Sequence, residues 1–450
     1  MSLAEAAAAM QGRLDGPDAR FSRVSTDSRG LAAGELFVAI RGERFDGHEF
    51  LAAARALGAA GALIDARYSG PAPLPVIVVD DTRRALGRLG RHWRARFSPA
   101  VVAIAGANGK TTTKEMLAAI LRAHAGADAV LATAGNLNTD IGVPMTLLGM
   151  SAAHRYCAIE LGMNHPGEIA WLAEIAQPGI AVVTNAQREH MEFMKDVAAS
   201  AEENAEVLRA LPSGGTAVIN ADDEHAPIFR AAAGARRTVP FGLSGEAEVS
   251  GGYALKPLSS ELVVRTPQGE ARATLAVPGL HNVRNAVAAA ACAHAAGVPP
   301  EAIARGLSAF RPYAGRSQAK RARSGATVID DSYNANPDSV RAAIDVLAAC
   351  PRPTVLVLGD MGEVGEQGPA YHREVGAYAK RRGIGALCAL GEASREAVAA
   401  FGEGARHFES PEALVAALPP AATLLVKGSR FMRMERVVAA LTGNAQQGVH

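Results

Sequence analysis

The stretch from Val101 to Ala123 constrains the fold more than any other part of the chain. It runs from the apolar VVAIAG through ANGKTTTK into EMLAAILRA, which predicts a strand, a glycine turn and a helix. The amides of such a turn and the positive end of the helix dipole suit a phosphate group. The common phosphate-loop spacing requires a second glycine five residues before Gly109, but Ile104 stands there. Strand, turn, Lys-Thr pair and helix nevertheless agree, and they predict an ATP site.

The predicted nucleotide contacts follow from this arrangement. Lys110 is expected to reach the β and γ phosphates, and the Thr111 hydroxyl is expected to bind Mg²⁺. The residues expected around the phosphates are Gly106, Ala107, Asn108, Gly109, Lys110, Thr111 and Thr112. The alternative interpretation is a tight glycine turn that binds nothing.

Short β-branched runs alternate with alanine-rich helical stretches, as is typical of parallel sheets covered by helices. We expect an α/β protein of three domains, residues 1–98, 99–314 and 315–450, with a central phosphate-loop ATPase-like parallel sheet and a C-terminal Rossmann-like domain. The predicted strands are GELFVAI and PLPVIVVDD in the first domain, VVAIAG, CAIELG, IAVVTN and TAVINAD in the second, and TVIDDSY, PTVLVLGD, GALCALG and ATLLVKGS in the third.

Composition excludes several classes of partner. The formal net charge is +1, from 46 basic and 45 acidic residues, so no basic field is available to hold nucleic acid. No apolar run approaches the roughly 18 residues of a membrane span, and the N-terminus does not resemble a secretion signal. A cytoplasmic protein without membrane insertion is expected. The four scattered cysteines are expected to be buried, reduced thiols.

Two side chains at predicted strand ends are candidates for a second Mg²⁺ site. Glu160 ends the run RYCAIE, and His190 follows IAVVTN in the loop AQREHMEF. Ligands in open α/β sheets gather at the carboxyl ends of strands, and Mg²⁺ prefers oxygen ligands. A solvated loop residue or a helix cap is the alternative for each.

Several motifs together resemble the Mur ligases, the ATP-dependent enzymes that build the peptidoglycan peptide. They are GANGKTTTK, GNLNTDIGVP, ELGMNHPGEI, TNAQREH and GLHNVRNAVAAAA, and the resemblance extends over all three domains. In the third domain DDSYNANPDS, GDMGEVGE and KGSR resemble the branch that joins D-alanyl-D-alanine to UDP-N-acetylmuramoyl-tripeptide. The DNPR motif of the sister ligase that adds the third amino acid is absent. VSTDSRGLAAGELFVAIRGERFDGHEF resembles the uridine-nucleotide-binding domain that these two branches share.

The resemblance implies an amide synthesis in two steps, which would form the UDP-MurNAc-pentapeptide precursor. ATP converts the carboxylate of the tripeptide into an acyl phosphate, and the amine of the dipeptide then displaces phosphate. Lys110 and two Mg²⁺ ions would screen the repulsion between the carboxylate and the triphosphate. Thr111 would hold one ion, whereas Glu160 and His190 would hold the other. The implied catalytic residues are therefore Lys110, Glu160 and His190.

The resemblance also implies roles for residues in the matching motifs. Asn282 and Asn285 would contact adenine, although an asparagine pair at a helix start is otherwise a common cap. Arg316 and Asp331 would meet a phosphate and the ribose when the third domain closes on ATP. The implied substrate-binding residues are Asp27, Ser28, Arg29, Asn136, Asn138, Lys427, Ser429 and Arg430. A solvated turn is the alternative for Asp27, Ser28 and Arg29, and a solvated basic loop is the alternative for Lys427, Ser429 and Arg430. A monomer is expected.

The chain departs from the family pattern at Asn204, where Mur ligases usually carry a lysine that becomes carbamylated and supports the second metal. An amide cannot carry a carbamate, so water, a neighbour such as Glu203 or weaker coordination would have to replace it. The alternatives for the whole chain are the third-residue ligase, a ligase similar to folylpolyglutamate synthase, and a nucleotide-gated regulatory protein. Whether the third peptide residue is meso-diaminopimelate or Lys stays open.

Overall fold

The structure is a computed structural model that describes residues 1–42, 45–244 and 247–443. The last part of the third predicted domain, residues 444–450, lies outside the described residues. The helices are α1 Leu3–Met10, α2 Leu51–Ala56, α3 Thr82–Arg94, α4 Lys110–Ala125, α5 Gly142–Leu148, α6 Glu168–Ala176, α7 Val197–Arg209, α8 Ala226–Ala233, α9 Leu280–Ala295, α10 Pro300–Ala309, α11 Pro337–Ala348, α12 Gly368–Arg381, α13 Arg395–Phe401, α14 Pro411–Ala416 and α15 Glu435–Thr442. The strands are β1 Arg13–Asp15, β2 Val24–Ser25, β3 Leu36–Val38, β4 Gly61–Asp65, β5 Val76–Val79, β6 Ala100–Ala105, β7 Val130–Ala132, β8 Tyr156–Glu160, β9 Ile180–Val183, β10 Thr216–Asn220, β11 Arg237–Gly242, β12 Val249–Leu255, β13 Ser260–Thr266, β14 Gly269–Leu275, β15 Gln318–Arg321, β16 Thr327–Asp331, β17 Thr354–Gly359, β18 Ala386–Leu390, β19 Ala405–Phe408 and β20 Thr423–Lys427.

The predicted α/β class is confirmed, because each of the ten predicted runs contains a strand. Along the chain the strands form three groups, β1–β5, β6–β14 and β15–β20, and one group falls within each predicted domain. Packing divides the chain differently, into two compact units. The first comprises Met1–Ala103, Asp128–Met163 and Gly167–Gly179, and the second comprises Ile104–Ala127, Asn164–Pro166 and the chain from Ile180 onward.

The first unit contains a sheet of order β1-β5-β4-β3-β2, in which β1 is antiparallel to β5 and the other pairs are parallel. Helix α3 packs against α5 and α6 within this unit. Two glycines permit that close approach, since a Cβ at Gly87 would lie 2.6 Å from Trp171 Cζ2 and one at Gly90 would lie 2.7 Å from Pro144 Cβ. The glycines of the ALGRLGRHWRARF stretch therefore form a packing face.

The central strands of the second unit depart from the expected parallel sheet. Strands β9 to β12 pair in parallel, but β12, β13 and β14 pair antiparallel. Buried and exposed residues alternate along β13 and β14, which is typical of an antiparallel sheet with one face in solvent. The central domain is therefore mixed rather than wholly parallel.

The third group of strands, also in the second unit, has the order β15-β16-β20-β17-β18-β19 and is parallel except for the edge pair β15–β16. One apolar cluster includes Ile344 of α11 and Val375 of α12, and another includes Leu414 of α14 and Val437 of α15. Alternate residues of the parallel strands belong to the two clusters, so helices cover both faces. This arrangement agrees with the predicted Rossmann-like domain.

Two expectations from composition can be compared with the structure. All four cysteines are free and buried, as expected. Burial raises the pKa of the Cys157 thiol to about 12 and that of Cys350 and Cys388 to about 11. Within the described part of the chain, no helix combines the length and the apolar character needed to cross a membrane.

Candidate active site

The predicted phosphate loop lies between the end of β6 and the first turn of α4. Gly106 and Gly109 have φ angles of +121° and +83°, a region that favours glycine. A Cβ at Gly106 would lie 2.2 Å from Thr184 Oγ1, and one at Gly109 would lie 2.1 Å from Asn285 Oδ1. The loop therefore requires glycine at both positions for backbone conformation and for space.

Side chains and backbone from distant parts of the second unit hold the loop. The Gly106 amide donates to Asn204 Oδ1 at 2.7 Å, and the Asn108 amide donates to Asn185 Oδ1 at 2.9 Å. The Ala107 amide donates to the Asn185 carbonyl at 3.0 Å. These three amides are engaged within the protein, so the amides at the start of α4 are better placed to receive phosphate. Phosphate contact by Gly106, Ala107 and Asn108 stays a prediction.

Lys110 is the first residue of α4, and its side chain folds back over the loop. Its Nζ donates to the Gly106 carbonyl at 2.5 Å, to the Ala107 carbonyl at 3.1 Å and to Glu189 Oε2 at 3.1 Å. An ammonium group has three protons, and these three acceptors account for all of them. Lys110 must exchange at least one partner to bind a phosphate. Thr111, the predicted Mg²⁺ ligand, is buried next to it in the same turn.

Sequence reasoning did not identify Glu189, although it directly precedes His190 in TNAQREH. Its side chain is 4% exposed. Besides Lys110, it accepts a hydrogen bond through Oε1 from Asn204 Nδ2 at 3.2 Å, and Asn204 Nδ2 also donates to the Ser200 carbonyl at 2.9 Å. Nothing local in the sequence distinguishes it from an exposed loop carboxylate, because its partners are brought together by the fold.

His190 lies in the same loop with a φ angle of +50°. Its Nδ1 is 2.6 Å from Glu363 Oε2, and its Nε2 is 3.9 Å from Glu189 Oε2. The interaction with His190 lowers the pKa of Glu363 and outweighs the opposing effect of burial. Glu363 belongs to the GDMGEVGE motif, and the family resemblance implied no role for this residue. With the carboxylate beside Nδ1, Nε2 is the ring nitrogen that could bind a metal.

Glu160 belongs to the first unit and ends β8. Its side chain is buried and accepts a hydrogen bond from Asn138 Nδ2 at 2.9 Å. The structure therefore joins two predicted residues from the motifs GNLNTDIGVP and ELGMNHPGEI, whereas Asn136 is exposed on its loop. A shared metal site of Glu160 and His190 stays a prediction.

A cavity of about 960 Å³ opens beside the phosphate loop within the second unit. Its size is near the upper end for ligand pockets. The predicted ATP-binding residues that line it are Asn108, Gly109, Thr112, Asn282, Asn285, Arg316 and Asp331. The structure thus brings together residues that are up to 223 positions apart in the sequence, from the central and the third predicted domains.

The contacts and the ionisation of three polar side chains at this cavity can be described. Arg316 stacks over Tyr333 with 4.1 Å from Cζ to the ring centroid, and among the described residues its buried Nε has no hydrogen-bond partner. Burial opposes ionisation of Asp331, but Lys427 at 2.6 Å outweighs it, so the pKa of Asp331 is below its usual value. Burial lowers the pKa of His281, which also lines the cavity, to about 4, so this ring is neutral near pH 7.

The KGSR residues predicted to bind the acceptor have different surroundings. Lys427 is buried and also donates to the Asn334 carbonyl at 2.8 Å. Ser429 donates to the Ala335 carbonyl at 3.0 Å and accepts from the Gly362 amide at 2.6 Å, so its hydroxyl connects three motifs of the third domain. Arg430 is exposed and lies 3.0 Å from Glu435.

The predicted nucleotide contacts of the first domain form a local turn. Asp27 caps the 3₁₀ turn Ser28–Gly30, and its carboxylate lies 2.7 Å from the guanidinium of Arg29. Hydrogen bonding to Arg29 lowers the pKa of Asp27 to about 2. Both side chains are largely exposed, so this ion pair contributes little to stability.

Arg188 connects the central strands to the third predicted domain within the second unit. Its guanidinium lies 2.5 Å from Asp338 Oδ1 and 2.7 Å from Glu374 Oε2. Asn108 of the phosphate loop and Asn336, the cap of α11, form a second connection, in which Asn336 Nδ2 donates to Asn108 Oδ1 at 2.9 Å. Neither connection was predicted from the sequence.

Comparison with known proteins gives matches along nearly the whole chain. Family models described as Mur ligase family, catalytic domain, as Mur ligase middle domain, and as Mur ligase, glutamate ligase domain match residues 20–94, 104–293 and 315–430. An Escherichia coli (strain K12) protein named UDP-N-acetylmuramoyl-tripeptide–D-alanyl-D-alanine ligase is 40% identical over 443 residues, covering 97% of each chain. A crystal structure of MurF from Acinetobacter baumannii is 34% identical, with a TM-score of 0.90 over 97% of each chain. A Thermotoga maritima MurF structure in complex with ADP, 24% identical with a TM-score of 0.80 over 93% of this chain and 96% of that one, shows the same fold.

Proposed function

The chain belongs to the Mur ligase family, and we propose on that basis that it joins D-alanyl-D-alanine to UDP-N-acetylmuramoyl-tripeptide at the expense of ATP. The E. coli relative that bears this name matches it over 97% of its length. The three motifs of the third predicted domain that resemble this branch lie in one unit with the phosphate loop. The product is the UDP-MurNAc-pentapeptide used in peptidoglycan synthesis.

The observation that carries the proposal is the cavity that the phosphate loop and the third predicted domain line together. Asn108 and Gly109 contribute from one side, whereas Arg316 and Asp331 contribute from the other. An unpartnered guanidinium nitrogen suits a phosphate oxygen, and an ionised carboxylate suits the hydroxyls of a ribose. The neutral ring of His281 adds no charge beside the base.

The chemistry of the reaction explains why a carboxylate substrate would need this site. Oxide is a poor leaving group, so the carboxylate must first accept the γ-phosphoryl group and become an acyl phosphate. Lys110 would leave Glu189 and bind the transferring phosphoryl group, where its charge offsets the repulsion between the two anions. The amine of the dipeptide would then attack the acyl carbon and release phosphate. The third-domain side chains around the cavity would limit hydrolysis of the acyl phosphate by water.

The donor set fits divalent cations bound together with a triphosphate. Thr111 would hold one Mg²⁺, and Glu160 and His190 would hold the second, which would neutralise charge on the reacting oxygens. The contact of 2.6 Å between His190 Nδ1 and Glu363, which leaves Nε2 for a metal, supports this role. Mg²⁺ is commonly bound through one or two carboxylates with substrate phosphates and water. Accordingly, among the residues described, no group of three or more His, Cys, Asp or Glu side chains is arranged to hold a metal ion on its own.

The remaining assignments are parts of the same proposal. Asp27, Ser28 and Arg29 would contact the uridine nucleotide, and the loop that carries Asn136 and Asn138 would contact the peptide substrate. Lys427, Ser429 and Arg430 would act at the acceptor site, Lys427 and Ser429 by positioning its loops. The protein would act as a monomer in the cytoplasm.

Phosphate release from ATP tests the proposal directly. With UDP-N-acetylmuramoyl-tripeptide and Mg²⁺, D-alanyl-D-alanine is expected to support turnover. Meso-diaminopimelate or Lys, offered with the UDP-linked dipeptide, is expected not to. Faster turnover with a single amino acid would identify the third-residue ligase, and turnover with glutamate and a folate would identify a folylpolyglutamate synthase. ATP hydrolysis that no acceptor accelerates would indicate a nucleotide-gated regulatory protein.

A further inference from the structure

Glu189 is a buried carboxylate to which neither the motifs nor the proposed mechanism gives a task. It stands 3.1 Å from Lys110 Nζ and 3.9 Å from His190 Nε2. A buried carboxylate beside a triphosphate site would repel the nucleotide unless a cation lay between them. Its position therefore requires an explanation in terms of the charges that assemble during the reaction.

The side chain at position 204 indicates what this carboxylate replaces. Asn204 points its amide at Glu189 Oε1, 3.2 Å away, while its oxygen accepts from Gly106 of the phosphate loop. A longer, carbamylated side chain at 204 would extend in the direction of the Glu189 carboxylate. The negative charge that Asn204 cannot carry is thus present, but it comes from the loop after β9 rather than from α7.

The distances fit a common cation for Glu189 and His190. Mg²⁺ binds its ligands at about 2.1 Å in octahedral geometry, so adjacent ligand atoms lie roughly 3 Å apart and opposite ones about 4.2 Å apart. The separation of 3.9 Å between Glu189 Oε2 and His190 Nε2 falls between these values. A small rotation of the Glu189 side chain would bring both atoms onto one ion.

In this structure Glu189 Oε2 accepts a hydrogen bond from Lys110 Nζ. The proposed reaction explains how Lys110 would move away from this carboxylate. The triphosphate attracts Lys110 away from Glu189, and this releases Oε2 at the moment when the metal arrives with the nucleotide. We infer that Glu189 is a ligand of the second Mg²⁺ in this chain, taking the place of the carbamate. This inference rests on the proposed function, since that function supplies the nucleotide and the metal.

The competing explanation is that Glu189 only holds Lys110 over the phosphate loop. In that case, loss of the carboxylate charge would alter nucleotide affinity but leave the number and affinity of bound metal ions unchanged. Metal binding must therefore be measured separately from activity.

The test uses Mn²⁺ as a paramagnetic probe of the full-length protein, with UDP-N-acetylmuramoyl-tripeptide and a non-hydrolysable ATP analogue present. Electron paramagnetic resonance titration of the wild type is expected to show two bound Mn²⁺ ions. Glu189→Gln is expected to weaken one of them about tenfold or more. Glu192→Gln is the matched control, because Glu192 lies in the same loop but is exposed, and it is expected to bind both ions like the wild type. Unchanged affinities at both sites in Glu189→Gln would overturn the inference.

A second variant guards against a folding defect. Glu189→Gln combined with Asn204→Lys is expected to regain the weakened Mn²⁺ site when bicarbonate is added and to lose it on removal of CO₂, whereas the wild type is expected to be indifferent to bicarbonate. A bicarbonate-dependent wild type would contradict the inference. A wild type that binds two ions but forms no amide with D-alanyl-D-alanine would contradict the proposed function and leave this metal assignment standing.

Discussion

Alanine at Gly109 is expected to disable the phosphate loop, and alanine at Gly167 provides a matched comparison. Gly109 precedes α4 with φ and ψ of 83° and −1°, and Gly167 precedes α6 with 89° and −8°. Both variants must therefore place alanine in the left-handed region, at a cost of about 1–2 kcal/mol. Only their surroundings differ, since a Cβ at Gly167 meets nothing within 4 Å.

The additional free-energy cost of an alanine at Gly109 follows from the position of the Asn285 side chain. The new Cβ would lie 2.1 Å from Asn285 Oδ1, so the loop or the amide must move by roughly 1.3 Å to restore an ordinary contact of 3.4 Å. Overpacking of this kind costs a further 1–3 kcal/mol or so. A displacement of about 1 Å near the reacting groups reduces rates by on the order of 10²-fold.

Thermal unfolding and ADP formation with the UDP-linked tripeptide and D-alanyl-D-alanine are the measurements. Gly109→Ala is expected to unfold at a lower temperature than Gly167→Ala and to lose about 10²-fold in kcat/KM, whereas Gly167→Ala is expected to stay within about threefold of the wild type. Equal losses of kcat/KM in the two variants, or a Gly109→Ala enzyme whose kcat/KM is within threefold of the wild type, would refute the conclusion that Asn285 leaves no room for a Cβ at Gly109.

Three further substitutions probe the charges of the site. Lys110→Ala is expected to reduce ADP formation by about 10³-fold or more, because the transferring phosphoryl group loses its cation; a loss of less than about tenfold would contradict that role. Arg188→Met is expected to raise the Kd of a non-hydrolysable ATP analogue about tenfold, because Asp338 at the cavity wall loses a partner worth about 1.5–3 kcal/mol; calorimetry would measure it, and an unchanged Kd would argue against the connection. Lys427 holds the pKa of Asp331 below its usual value despite burial, so this carboxylate is ionised near neutral pH in the wild type. In Lys427→Met the desolvation that raises the pKa of Asp331 is opposed less. The pH below which nucleotide affinity falls is therefore expected to be higher in Lys427→Met than in the wild type. An unchanged pH dependence would contradict the pairing of Lys427 with Asp331.

Much of the fold was predictable because the information was local. Runs such as VVAIAG and TVLVLG are short, apolar and rich in β-branched residues, which favours buried strands, and each lies next to a helix with its own apolar face. The antiparallel strands β12 to β14 were missed because SGGYAL and GEARATL are rich in glycine and polar residues. Their identity as strands depends on pairing with β11 and with each other, which no local pattern encodes.

The site was predicted only as far as its motifs reached. Lys110 and His190 stand in recognisable motifs, but Arg188 and Glu189, which directly precede His190, look like ordinary charged residues of a loop. Glu189 acquires its role from Lys110, which is 79 residues away, and Arg188 acquires its role from Asp338, which is 150 residues away. Such contacts depend on the packing of whole elements, so a single sequence does not reveal them.

The two connections between the phosphate loop region and the third predicted domain differ in their response to ionic strength. The pair of Asn108 and Asn336 consists of neutral amides, so dissolved salt leaves its strength nearly unchanged. The contacts of Arg188 with Asp338 and Glu374 join opposite charges that are about 20–29% exposed, so counter-ions weaken them. Concentrated salt would therefore loosen the third domain at Arg188 while the amide pair continued to hold the start of α11 against the loop.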